Sequence, residues 1–116
     1  MTLQELKKDI DNRMNNAKSA DEQYYIKESF GTLYDEIMES VKSGNELLNI
    51  SSYLFEQAHA CGILHKYGIK KFAYSAMSSA SIEQLYNFVT FGYKIAGVTT
   101  VKNKGSENPA VLLECA

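Results

Sequence analysis

The hydrophobic pattern of this 116-residue chain changes its period at Gly68. Before that point apolar residues recur every three or four positions, the spacing of one helix face. After it, β-branched and aromatic residues gather in short runs broken by Gly, Ser and Asn, the texture of strands and turns. A helical first part must then pack against a smaller part that contains a sheet, which predicts an α+β domain. A chain of this length buries roughly two-thirds of its unfolded surface, enough for one modest core without disulfides or metal.

Capping signals place the helices. Thr2 and Glu5 form a capping box ahead of the stripe Leu3, Leu6, Ile10 and Met14, and the Asn-rich stretch 12–16 frays that helix's end. Ser19 and Glu22 open a second helix with the stripe Ile26, Phe30, Leu33, Ile37 and Val41, and Gly44 is placed to stop it. A third helix is predicted from near Asn45, either running to Tyr67 or bending at Gly62, with Leu47, Ser51, Leu54, Ala58 and Cys61 on one face and Leu48 and Phe55 next to it. Residues 69–77 then read as a strand, and Ser81 and Gln84 make a third capping box. The short helix after it has Ile82, Leu85 and Val89, with either Phe88 or Tyr86, as its apolar side. Residues 93–101 are rich in β-branched side chains and read as a strand, with 93–97 fitting a helix extension as well; 103–109 form a turn-rich loop, and Ala110–Glu114 returns as the hairpin partner. The predicted order is a helical hairpin over 1–43, a long third helix over 45–67, and a β-α-β-β unit over 68–116 forming a small mixed sheet, all in one domain. A mostly α bundle with a C-terminal β-hairpin is the alternative arrangement.

Charge is unevenly spread. Residues 1–58 carry 6 Lys/Arg against 11 Asp/Glu, and residues 59–116 carry 6 Lys against 3 Glu. No dense basic stripe is present in a chain of net charge −2, so nucleic acid is disfavoured as a partner. There is no stretch of ~18 or more apolar residues, and the charged start lacks the apolar centre of a signal peptide. With two cysteines and no disulfide framework, the expected compartment is the cytoplasm.

Gly68-Ile-Lys-Lys-Phe72, Ser81, Phe91-Gly92-Tyr93-Lys94 and Ala110-Val-Leu-Leu-Glu114 resemble the C-terminal part of the GNAT superfamily of acyl-CoA N-acyltransferases. In that family a helix ends at Gly, a strand follows, and an Asn-capped helix carries a Tyr four residues before a Gly-Phe pair. A strand, a loop and a Leu-rich strand close the unit. Gly44-Asn-Glu-Leu-Leu48 is similar to the end of the family's glycine-rich pyrophosphate loop, which precedes its central helix. The resemblance implies binding of acetyl-CoA or another acyl-CoA. It puts Phe88 where the family has the proton-donating Tyr, so it does not imply a complete catalytic set.

Three local constellations carry chemistry. Glu56 and His59 form an E-x-x-H pair which, with Glu28 or Glu36 from another helix, matches half of a di-iron carboxylate site; a surface i,i+3 contact uses the same spacing. Cys61 and His65 are spaced for a thiolate–imidazole dyad or a zinc half-site, and equally for a buried Cys beside a half-exposed His. Lys66, Lys70 and Lys71 cluster around Gly68, suited to coenzyme phosphates or to an ordinary helix C-terminus.

Eight Tyr and no Trp leave some phenols at the surface, and Tyr24 and Tyr25 cannot both face the stripe of Ile26 and Phe30. Tyr24, Glu28, Asp35, Glu36 and Glu39 are therefore expected to form an acidic, Tyr-bearing helical face. Without a catalytic set or a required cofactor, the chain reads as a protein-interaction or regulatory domain, an inhibitor or adaptor, that uses this face. A homodimer fits a domain of this size with an edge or face to cover.

Overall fold

The computed structural model describes residues 1–51, 57–76 and 81–116. Among them are five helices and a four-stranded mixed sheet: α1 (Leu3–Asn16), α2 (Ala20–Phe30), α3 (Leu33–Lys42), β1 (Asn49–Ile50), α4 (Gln57–Lys66), β2 (Lys71–Tyr74), α5 (Ser81–Thr90), β3 (Tyr93–Asn103) and β4 (Ser106–Cys115). The fold is α+β, helices first and strands towards the C-terminus. Among the described residues no helix is long and apolar enough to cross a membrane.

The hydroxyl half of each of the first two capping boxes forms. Thr2 Oγ1 accepts from the Glu5 amide and Ser19 Oγ from the Glu22 amide, each at 3.2 Å. The Glu22 carboxylate reaches back to the Lys18 amide at 2.7 Å. The expected single helix from Ser19 to Gly44 is instead two. Gly31 sits at φ +56°, a left-handed conformation open to glycine, and turns the chain between α2 and α3. Gly44, at φ +82°, does end α3, with the Asn45 amide closing onto the Ser40 carbonyl at 3.0 Å.

The long helix over 45–67 is also corrected. Asn49–Ile50 is a short strand, and helix begins only at Gln57; Leu54 and Phe55 of the expected stripe lie outside the described residues. β1 runs parallel to β2 with Asn49 beside Ala73 and Ile50 beside Tyr74. β4, last in the sequence, lies inside the sheet, whose order is β1-β2-β4-β3. It pairs antiparallel with β2, Phe72 opposite Leu113, and along its whole length with β3. A bulge at Ala96 interrupts the hairpin register between Ile95 and Gly97.

The main core gathers Leu3, Leu6 and Ile10 of α1, Phe30, Leu33 and Ile37 of α2 and α3, Leu64 of α4, and Phe72, Tyr74, Tyr93 and Leu113 of the sheet. A smaller cluster of Ala73, Val101 and Ala110 lies on the sheet's other face, since Ala73 alternates with Phe72 and Tyr74. Aromatic rings join α5 to the sheet. Phe88 meets Phe72 at 5.0 Å and Tyr74 at 5.7 Å between centroids, and Phe72 meets Tyr93 at 4.9 Å, all edge to face. The Tyr93 hydroxyl donates to the Ile69 carbonyl at 2.7 Å.

Phe88 is the inward one of the two expected rings and Leu85 packs against the core with it, whereas Ile82 and Val89 of the expected apolar side turn outward. Ile82 is 76% exposed, and Tyr86 and Val89 are exposed beside it. Gln84, expected to complete a capping box, is buried, and its side-chain oxygen accepts from the Tyr74 hydroxyl at 2.6 Å. The Ser81 side chain lies outside the described residues.

This assignment separates two apolar substitutions. Phe72→Ala, at the centre of the ring cluster, is expected to lower the free energy of unfolding by about 3–5 kcal/mol. Ile82→Ser should stay within about 0.5 kcal/mol, as for an exposed site. Urea denaturation of both variants checks the pair, and a large loss at Ile82 would reverse the assignment of the α5 faces.

Candidate functional site

α2 is the least packed helix in the N-terminal region. Of its eleven residues only Phe30 is buried. Phe30 anchors the helix end by stacking on Tyr67 at 5.5 Å, while Tyr24 and Tyr25 are 59% and 71% exposed. Their rings meet edge to face at 6.1 Å, so the two phenols form one projecting aromatic unit. Asp21, Glu22 and Glu28 on the same helix are exposed, with Lys27 as its basic residue. Lys27 Nζ lies 5.4 Å from the Tyr34 ring.

The five residues expected on one acidic face divide between two places. Tyr24 and Glu28 are on α2. Asp35 and Glu39 are on α3, where they line a groove of about 600 Å³ with Lys42 and with Lys104 of the hairpin tip. Glu36 also borders that groove but is only 6% exposed. Its carboxylate accepts from the Ser51 amide at 3.2 Å and is 3.4 Å from the Ser51 hydroxyl. The helix break at Gly31 rotates α3 relative to α2, so a face extrapolated along one helix does not continue across it. Glu36 serves the interior.

A polar seam that the sequence reading passed over begins at this carboxylate. Ser40 donates to the Glu36 carbonyl at 2.7 Å and accepts from the Asn49 amide at 2.9 Å. Asn49 Oδ1 accepts from the Ser75 hydroxyl at 2.9 Å. Glu36, Ser40 and Asn49 are all buried. Buried polar groups are retained where their hydrogen bonds are made, and these fix α3 against the start of β1 and the end of β2. One signal was available in the sequence: Asn49 interrupts the apolar run Leu47-Leu48-Asn49-Ile50, which a purely helical reading treats as a surface position.

Lys70 and Lys71 line a cavity of about 740 Å³ together with Leu3, Leu47, Leu48 and Ile69. Thr2, the cap of α1, lies at the same cavity, so a helix N-terminus adds partial positive charge to the two ammonium groups. Glu46 borders it as the opposing charge, and Lys71 is 3.9 Å from Glu114. Lys66 does not join this site; its Nζ lies 5.6 Å from the Tyr67 ring. Gly44–Leu48 leads into β1, so the stretch similar to a pyrophosphate loop precedes a strand here and not a helix.

The remaining constellations have other partners. His65 Nε2 is 2.9 Å from the Phe91 carbonyl oxygen and its ring packs on Tyr93 at 5.1 Å, whereas Cys61 is buried. Burial pushes the Cys61 thiol up from its ordinary 9.0 to about 11. Tyr93 is also raised, first by burial and then by the nearby Cys115 and Cys61. Glu56 of the E-x-x-H pair lies outside the described residues, and His59 is exposed. Among the described residues no group of three or more His, Cys, Asp or Glu is gathered to hold a metal ion.

A family model described as "Domain of unknown function (DUF7698)" matches residues 32–109, from the start of α3 into β4. The chain belongs to this family. The DUF7698 span contains the polar seam, the sheet up to Pro109 and all three lysines around Gly68; α1, α2 and the Tyr24–Tyr25 pair precede it. No curated protein and no solved structure matches the chain.

The raised groups set a pH dependence. Cys61 and Tyr93 favour their protonated forms in the folded state, so the unfolded chain loses these protons first as pH rises. The stability that Cys61 contributes is present below pH 9.0 and is lost as the pH climbs through about 11, and the Tyr93 contribution is lost only at still higher pH. Urea midpoints measured from pH 7 upward should fall through that window, and Cys61→Ala should make the decline shallower. An unchanged slope in the variant would remove Cys61 from the account.

Proposed function

We propose that this chain is a protein-interaction module, an inhibitor or adaptor, whose contact surface is centred on Tyr24 of α2. The observation that carries the reading is the projecting Tyr24–Tyr25 pair on a helix that buries only Phe30. Paired phenols offer a large apolar area at low entropic cost while keeping polar ends for hydrogen bonds. The exposed carboxylates of Asp21, Glu22 and Glu28 add selection for a basic partner surface and a salt-dependent association rate. Asp35 and Glu39 stand apart from this surface in the α3 groove with Lys42 and Lys104, and Glu36 is buried, so the contact surface rests on α2. Because the pair precedes the DUF7698 span, this reading concerns the present chain and is not assigned to the family as a whole.

Tyr24→Ala combined with Tyr25→Ala should change unfolding free energy by only about 0.5 kcal/mol, both side chains being exposed. Immobilised wild-type protein should retain from native lysate, at low salt, a basic protein that elutes as salt rises. The double variant and Glu28→Lys should fail to retain it. Identical retention by all three proteins would end the proposal.

A second reading, acyl-CoA binding, is favoured by the cavity that unites Lys70 and Lys71 with an apolar lining and the α1 N-terminus. The lysines and helix end suit phosphates, and Leu3, Leu47, Leu48 and Ile69 suit an apolar portion of the coenzyme. The order of elements supports it as well: α4 gives way at Gly68 to β2, α5 gives way at Gly92 to β3, and the Leu-rich β4 closes the unit. Phe88 is buried among rings and has no proton to transfer, so the reading is one of binding. Acetyl-CoA at a hundred times its dissociation constant adds about 2.7 kcal/mol of stability. A saturable rise in melting temperature, abolished by Lys70→Glu, is the expected result; a flat titration to millimolar coenzyme would exclude it.

A further inference from the structure

The outer edge of β3 carries an inserted amide that shows how a strand would dock there. The Asn45 side chain donates through Nδ2 to the Lys102 carbonyl at 2.6 Å and accepts through Oδ1 from the Lys102 amide at 2.9 Å. This is the donor–acceptor pair that a neighbouring strand's peptide groups would supply. It shows that the Lys102 backbone groups point away from β4. Residues two apart on a strand point the same way, so those of Thr100 and Val98 face the same open edge. Thr100 stands opposite Pro109, which has no amide hydrogen to give it, in keeping with that direction. Among the described residues no hydrogen bond reaches these outward groups.

Side chains along this edge select what can pair with it. Ile95 is opposite Leu113 and Val98 opposite Val111, while Leu113 and Val111 in turn pair with Phe72 and Tyr74. Directly paired residues share a face, so Ile95 and Val98 lie on the face that Phe88 of α5 covers. Ile95 is exposed and Val98 is 81% exposed, the highest value among the large apolar side chains of the described residues. The uncharged run Ile95–Val101 is bracketed by Lys94 and Lys102, both exposed and neither in an ion pair among the described residues. Lys102 shares the Val98 face of the edge, and Lys94, beyond the Ala96 bulge, lies on the opposite face, so each face carries an ammonium group at one end of the run. Lysines placed this way on an edge oppose self-pairing.

We propose that β3 accepts an extended segment of another protein as an added strand, with apolar side chains at alternate positions and carboxylates at its two ends. Its backbone bonds to Val98 and Thr100, its apolar side chains cover Ile95 and Val98, and Asn45 limits how far it runs. This surface is distinct from the Tyr24 helix and stands whether or not that reading holds.

The probe is a synthetic peptide of alternating Val and Thr with Glu at each end, N-methylated along one edge to keep it monomeric. Added to ¹⁵N-labelled protein, it should shift the amide resonances of Ile95, Val98 and Thr100 saturably. Val98→Pro removes an outward N–H that the fold itself does not use, and should weaken binding about tenfold or more, equivalent to about 1.4 kcal/mol. Lys94→Glu combined with Lys102→Glu should reverse the preference towards a Lys-ended peptide, a readout independent of how Val98→Pro folds. No shift at millimolar peptide, or no reversal in the charge-swapped protein, would overturn the proposal. So would a dimer in light scattering that Val98→Pro dissociates, because the occupant would then be a second copy.

Discussion

The contact of Phe88 with Phe72 and Tyr74 governs how the second half of the molecule is arranged. A short helix has one turn of freedom about its axis, and the deepest ring decides which side faces the sheet. With Phe88 inward, Gln84 comes within reach of the Tyr74 hydroxyl, and Ile82, Tyr86 and Val89 are carried outward. Phe72 holds the other end by meeting Tyr93 at the start of β3. One ring cluster thus fixes β2, α5 and the hairpin together, and it leaves an apolar helix side beside an open strand edge.

The N-terminal helices depend on polar contacts to a greater extent. α3 is tied to β1 through Ser40, Glu36, Asn49 and Ser51, groups that would be costly to bury unpaired. These bonds place a two-residue strand whose own ladder is too short to define its position. The same bonds take Glu36 away from the surface, leaving Asp35 and Glu39 as the acidic residues of the α3 groove.

The parts of the fold legible in the sequence were those set by local rules. Thr2 and Ser19 cap their helices, Gly44 ends α3, and the β-branched run at 93–101 pairs with the Leu-rich segment after Pro109. Three features were not legible, each for a separate reason. Gly31 breaks a stripe that remains continuous in sequence, because its φ is decided by the turn and not by hydrophobic spacing. β1 is a parallel strand that forms only by pairing with residues more than twenty positions away, and its neighbours Leu47 and Leu48 satisfy a helical period equally well. In α5 both Phe88 and Tyr86 fit an apolar side, and ring packing decides between them: Phe88 and Leu85 turn to the core while Ile82, Tyr86 and Val89 turn out. For the candidate sites, the stripe of Ile26 and Phe30 requires one of Tyr24 and Tyr25 to point away, and in the structure both are exposed. The gathering of Lys70 and Lys71 with α1, and the Asn45 amide on Lys102, are tertiary facts with no local sequence signal.

β4 is the last strand to be synthesised and an interior strand of the sheet. As the chain emerges N-terminus first, α1 to α5 and three strands become available before the segment that joins β2 to β3. Until Leu113 arrives opposite Phe72, the ring cluster lacks one wall, and β2 has only its short parallel partner. Vectorial synthesis therefore postpones closure of the sheet to its final residues. The nascent chain spends that interval with the aromatic surface of β2 and α5 uncovered, the state in which a chaperone or a passing strand would meet it.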